Sequence, residues 1–122
     1  MATIISFEDL DIWKLSRQLT RMVYEDFRQN KDFGFRDQIQ RCSVSIMNNI
    51  AEGFCRNSDA EFRQFLNVSR GSTGELKSMY YIAEDLNYLP GKLTIDRRNT
   101  ISGLMAGITS FMKYLKSNKS IK

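Results

Sequence analysis

Histidine is absent from all 122 residues, and that one gap removes whole classes of chemistry. Without an imidazole there is no Ser-His or Cys-His nucleophile pair, no His-containing zinc site and no Glu-x-x-His di-iron bundle. Cysteine is scarce as well: Cys42 and Cys55 are the only two and cannot make a four-thiolate site. The chain therefore reads as a non-enzyme with no metal or cofactor. A hydrolase or nuclease built on Glu52 and Glu75 would need several convergent oxygen ligands, and the sequence offers no such set. No apolar run approaches the roughly 20 residues of a membrane span. The opening MATIISFEDLDIW reaches acidic residues too early for a signal peptide. Cytoplasmic location is the expectation, with no membrane and no small-molecule substrate.

Proline is nearly missing too. Pro90 alone interrupts the chain, and no segment alternates apolar with polar, so the pattern favours helix throughout. A hydrophobic fraction of 42% against 26% charged residues is globular composition and argues against disorder. The length suits one domain, residues 1–122. The net charge of +4 is unevenly placed. Outside Lys113, Lys116, Lys119 and Lys122, basic and acidic residues balance at fourteen each. Those four lysines read either as complements to a helix C-terminus with a solvated tail over 118–122, or as a basic arm for nucleic acid phosphates.

Four helices are expected. The first spans about residues 8–29, with Ser6 as N-cap and Asp9 as its capping-box partner. Its residues Ile12, Trp13, Leu15, Leu19, Met22, Val23 and Phe27 cover an arc of roughly 200° at helical spacing, wider than one core stripe requires. Lys14, Arg17, Arg21 and Arg28 gather opposite. They read as a solvated face or as an electrostatic footprint for RNA or DNA. The second helix covers about 36–54, with Ile39, Cys42, Ile46, Met47, Ile50 and Phe54 inward. Its other face is rich in Ser and Asn, mediocre helix formers that suggest a packed, hydrogen-bonded contact. The third runs over 59–89 behind a Ser58–Glu61 capping box, with Phe62, Phe65, Leu66, Leu76, Met79, Tyr80, Ala83 and Leu86 buried. Gly71 and Gly74 within it point to a close helix approach or a kink. The fourth covers 95–117 after Thr94 as N-cap, its seam running through Ile101, Leu104, Ile108, Phe111 and Leu115. Short connections imply an antiparallel, up-down-up-down four-helix bundle.

The segment R-C-S-V-S-I-M-N-N-I-A-E-G-F-C-R-N-S-D-A-E-F-R-Q-F-L-N-V-S-R-G-S-T-G-E-L, with F-E-D-L-D-I-W-K before it, resembles the bacterial four helix bundle protein family. Its members are also called 23S rRNA intervening-sequence proteins, because some are encoded inside insertions in ribosomal RNA genes. The resemblance rests on Asn49, Glu52, Gly53, Arg56, Gly71, Ser72 and Glu75. Two positions depart from the pattern: many members carry proline at Met47, and a larger apolar residue in the block before Glu75. What the resemblance implies is a ring-shaped homopentamer without established enzymatic activity. Similar bundles include an accessory protein of diversity-generating retroelements, which binds nucleic acid and a reverse transcriptase. The motif residues have two readings. One is architectural, with Asn49 and Glu52 holding helix two against helix three near Ser72 and Glu75, and Gly53 ending or bending the helix. The other makes Asn49, Glu52 and Arg56 contact a ligand.

The leading expectation is a non-catalytic, oligomeric bundle that binds RNA or DNA through Lys14, Arg17, Arg21, Arg28 and the terminal lysines. The alternative is a protein-interaction scaffold whose positive charge serves only solubility.

Overall fold

Apolar side chains spaced three and four apart recur from Leu19 to Leu115, and each run folds as one helix whose apolar stripe faces a shared core. The computed structural model describes residues 4–117. The described residues form a 3₁₀ turn (Phe7–Asp9) and four helices: α1 (Asp11–Asp26), α2 (Phe33–Phe54), α3 (Asp59–Asp85) and α4 (Gly91–Lys116). Among them there is no strand. Each helix packs on its neighbours in the chain, α4 returns to α1, and the diagonal pairs make no backbone contact. That is the antiparallel four-helix bundle. Lys119 and Lys122 lie outside the described residues.

The helix boundaries differ from expectation for identifiable reasons. The first helix starts at Asp11, not near Glu8. Leu10 adopts extended backbone angles and is buried, so core packing breaks the chain between the 3₁₀ turn and α1. Ser6 makes no side-chain cap; its hydroxyl donates to the Glu8 carboxylate instead. α1 ends at Asp26, short of Gln29. α2 starts three residues early, because the Asp32 carboxylate accepts from the Phe35 amide at 3.3 Å and caps it. The Ser58–Glu61 box forms as expected, with the Glu61 amide donating to the Ser58 hydroxyl at 3.1 Å. α3 stops at Asp85 rather than Leu89, and Asn87 takes a left-handed φ of 57° just beyond it. Leu86, placed in the core by its spacing, is 53% exposed. Thr94 is not a cap. α4 already begins at Gly91 after Pro90, and the buried Thr94 hydroxyl donates to the Glu84 carboxylate and the Gly91 carbonyl.

The wide apolar arc of α1 is largely occupied within the chain. The 3₁₀ turn lays Phe7 edge-on to Trp13 at 5.1 Å, and the Arg17 guanidinium also sits over the indole. Ile12 reaches α4 at Gly107, where an added Cβ would stand 3.3 Å from its methyl.

Candidate functional site

The short polar face of α2 meets α3. Ser45 and Ser72 share a hydroxyl contact at 3.2 Å, and the Gln38 amide donates to the Glu75 carboxylate at 3.3 Å. The Cys42 thiol donates to the Ser72 carbonyl at 3.2 Å. Deeper in, the Ser69 hydroxyl reaches the Ile46 carbonyl at 2.8 Å. These short groups serve as interhelical donors, which explains residues that favour a helix so poorly. Above them opens a polar groove of about 440 Å³, lined by Gly34, Gln38, Arg41, Cys42, Ser45, Ser72 and Glu75. Burial, reinforced by the neighbouring Glu75 carboxylate, pushes the Cys42 thiol up to about 12, so it stays protonated and unreactive at neutral pH.

The motif residues divide differently from the architectural expectation. Asn49 donates to the Ser45 carbonyl and hydroxyl of its own helix, and Glu52 pairs with Arg56 at 2.7 Å. Neither bonds Ser72 or Glu75; Ser45, Gln38 and Cys42 do that. Gly53 lies in the last turn of α2, one residue before its end at Phe54. It is buried inside the helix at a close crossing, where a Cβ would lie 2.7 Å from Phe65 Cβ and 2.9 Å from Phe62 Cδ1. The close approach sought at Gly71 and Gly74 is found here. At Gly71 nothing lies within 4 Å, and at Gly74 only Met105 Cε does, at 3.9 Å. Glu75 lies level with Gln38, fourteen residues from Glu52 along α2, or about 21 Å at 1.5 Å per residue. The two carboxylates do not converge, and among the described residues no three potential metal ligands cluster.

A polar cluster that local sequence patterns did not reveal locks the end of the bundle where α1 and α3 finish and α4 begins. Arg97 clasps the Asp26 carboxylate with two bonds of 2.7 and 3.0 Å, and the Tyr80 hydroxyl donates to the same carboxylate at 2.8 Å. Asp26 is 5% exposed and Arg97 14%, so this pair is nearly dry. The hydrogen bond to Asp26 holds Arg97 even more firmly protonated, and burial, with Asp26 next, drives Tyr80 far above the ordinary phenol range. Alongside, Glu84 accepts from Arg98 at 2.7 Å and from Thr94 at 2.8 Å, which lowers its pKa. Tyr88 donates to Asp32 at 2.6 Å, which raises its own.

The expected basic residues fall on two separate faces. Lys14, Arg17 and Arg21 are exposed on α1, and Arg28, exposed in the turn just beyond it, is paired with Glu25 at 3.1 Å. Lys113 and Lys116 are exposed in the last turn of α4. A third set escaped the helix-by-helix reading: Arg63, Arg70 and Lys77, seven residues apart on α3 and half-buried beside α4.

No curated protein matches the chain. A solved structure from Bacteroides thetaiotaomicron VPI-5482, a protein of unknown function from the S23 ribosomal protein family, superimposes with a TM-score of 0.78 at 21% identity, covering 84% of this chain and 98% of that one. That likeness establishes the fold. Neither it nor the matching family is described by a catalytic activity. The family model described as 23S rRNA-intervening sequence protein matches residues 8–110, and the chain belongs to that family.

Proposed function

We propose that this protein is a non-catalytic bundle that self-associates and binds RNA or DNA through its exposed cations. The observation that carries the reading is the lack of neutralisation. Lys14, Arg17, Arg21, Lys113 and Lys116 are exposed and have no ion-pair partner among the described residues, whereas Arg28, Arg56, Arg97 and Arg98 are paired with carboxylates. Cations left facing water attract a polyanion, and repetition in an assembly multiplies weak contacts. The family's description, 23S rRNA-intervening sequence protein, is consistent with a nucleic acid partner. Titration of the protein against structured rRNA fragments in a mobility-shift assay is the test. Binding at low salt that weakens at moderate salt is expected; no binding at low salt, or indifference to salt, would overturn it.

Assembly as a homopentamer belongs to the same proposal. Phe33, Val68, Ile82 and Ile95 are each 41–58% exposed, apolar surface that a second copy would cover. Light scattering should return five times the 14.2 kDa chain mass. A second reading rests on the same residues: a scaffold for another protein, favoured if the protein is a monomer and ignores nucleic acid.

A further inference from the structure

Arg63, Arg70 and Lys77 recur at seven-residue spacing, which brings them to one face of α3 at intervals of about 10.5 Å. The Arg70 guanidinium shows which face. It donates to Thr109 of α4 at 3.4 Å and to Asn67 at 2.7 Å, both neutral partners that fix it without cancelling its charge. The antiparallel register follows from Phe62 against Phe111, Gly74 against Met105 and Tyr81 against Arg98. In that register Lys113 and Lys116, one and two turns beyond Thr109 on its face, stand at the Arg63 end of the α3–α4 groove.

Among the described residues none of these cations is ion-paired with a carboxylate, and Asp59, an acid on their face, lies at the start of α3, one turn before Arg63. The segment 62–74 contains no Asp or Glu, and none follows Asp96 in the sequence. Glu75 points the other way, to Gln38 on α2, and Glu84 is taken by Arg98 and Thr94. Most telling is Arg63, whose Nε is buried and has no hydrogen-bond partner among the described residues. That buried nitrogen is out of reach of a ligand, but the rest of the guanidinium is only half-buried and has no ion-pair partner among the described residues, so its charge is left for an anion at the surface. The basic stripe that begins on α1 differs, because Glu25 is ion-paired with Arg28 and Arg17 is engaged by Trp13.

We propose that the α3–α4 groove, through Arg63, Arg70, Lys77, Lys113 and Lys116, is the surface that seats the phosphate backbone of a double-helical nucleic acid. The inference rests on the nucleic acid reading above and narrows it to one face and one form. The exposed aromatic on this face, Tyr81, is already covered by the Arg98 guanidinium at 4.0 Å. Single strands are held by bases stacked on free aromatic rings, whereas duplex backbone contact needs only placed cations. Recognition is therefore insensitive to sequence. Five phosphate contacts give a salt slope of about −4.5, since each contributes about −0.9 on B-form DNA.

The test is fluorescence anisotropy with labelled mixed-sequence duplexes of DNA and RNA and the matching single strands. It compares the full chain with R63Q/R70Q/K77Q, K113Q/K116Q and K14Q/R17Q/R21Q variants. The α3 triple variant should lose at least tenfold in duplex affinity and about three units of salt slope. The K113Q/K116Q variant, which touches no buried group, should lose severalfold even if the α3 variant folds poorly. The α1 variant, whose exposed cations add general attraction for a polyanion, should lose less than the α3 triple variant. Loss confined to the α1 variant would overturn this site and leave nucleic acid binding intact. Preference for single strands would overturn the duplex form. A changed solution mass in the α3 variant would make the groove an interface between copies, which also overturns the site. No binding by the unmodified chain at low salt would remove the underlying reading along with it.

Discussion

A methyl group at Gly53 would meet Phe65 Cβ at 2.7 Å and Phe62 Cδ1 at 2.9 Å, closer than carbon atoms pack. Gly53→Ala should therefore push α2 off α3 and cost about 1–3 kcal/mol, the usual penalty of overpacking. Gly71→Ala should do the opposite. Nothing lies within 4 Å of that position, and relief of helical glycine is worth about 1 kcal/mol. Urea denaturation midpoints of the two variants would move in opposite directions; a loss at Gly71 would show that an unseen surface packs there. The two cysteines make a similar contrast. Cys42 is buried and Cys55 exposed, so one thiol should react with an alkylating reagent in the native protein and two in denaturant. The folded Cys42 keeps its proton up to about pH 12, whereas the unfolded thiol releases it near 9. Between those values the folded state binds more protons, so raising the pH favours unfolding. Stability measured across pH 8–11 should fall, and Cys42→Ala should flatten the decline.

Among the helices and their ends, the contrast is between local and distant partners. The Ser58–Glu61 cap was legible because both partners lie within one turn, and a pattern of four residues identifies it. Thr94 was misread for the opposite reason. Its hydroxyl is claimed by Glu84, ten residues back across a turn, so a good capping residue became a buried strut. The Asp26–Arg97 clasp joins residues 71 apart and leaves no periodic trace in the sequence. Its removal should matter most of all. Asp26→Ala would leave Arg97 almost dry with only the exposed Asp96 beside it, and breaking a buried pair costs about 3–5 kcal/mol. Asp26→Leu combined with Arg97→Met should recover much of that loss in denaturant unfolding, and failure to do so would make the hydrogen bond to Tyr80 the larger contributor. Arg63, Arg70 and Lys77 of the proposed site were not singled out from the sequence, because their place against α4 depends on the register of two helices rather than on either one.

At the scale of the whole molecule, α2 and α3 form the broadest interface, while α1 is the shortest helix and packs least on α4. Native-state hydrogen exchange should find the weakest protection in α1 and the strongest in α2 and α3, since local opening follows packing. Uniform protection would mean that α1 is held by something outside its own chain. The all-helical bundle itself was readable throughout, because long 3.6-residue periods and a lone proline admit few alternatives. The bundle also has unlike ends. One is laced by Asp26, Arg97, Tyr80, Glu84 and Arg98, groups that each need a particular counterpart in a particular place. The other is closed by Phe54, Phe62, Phe111 and Tyr114, rings that chiefly fill space. Space can be filled by many side chains, and a clasp cannot be half-changed. Mutational drift should therefore run freely at the aromatic end and move only in compensated pairs at the other, so that a library of random variants selected for folding would separate the two ends.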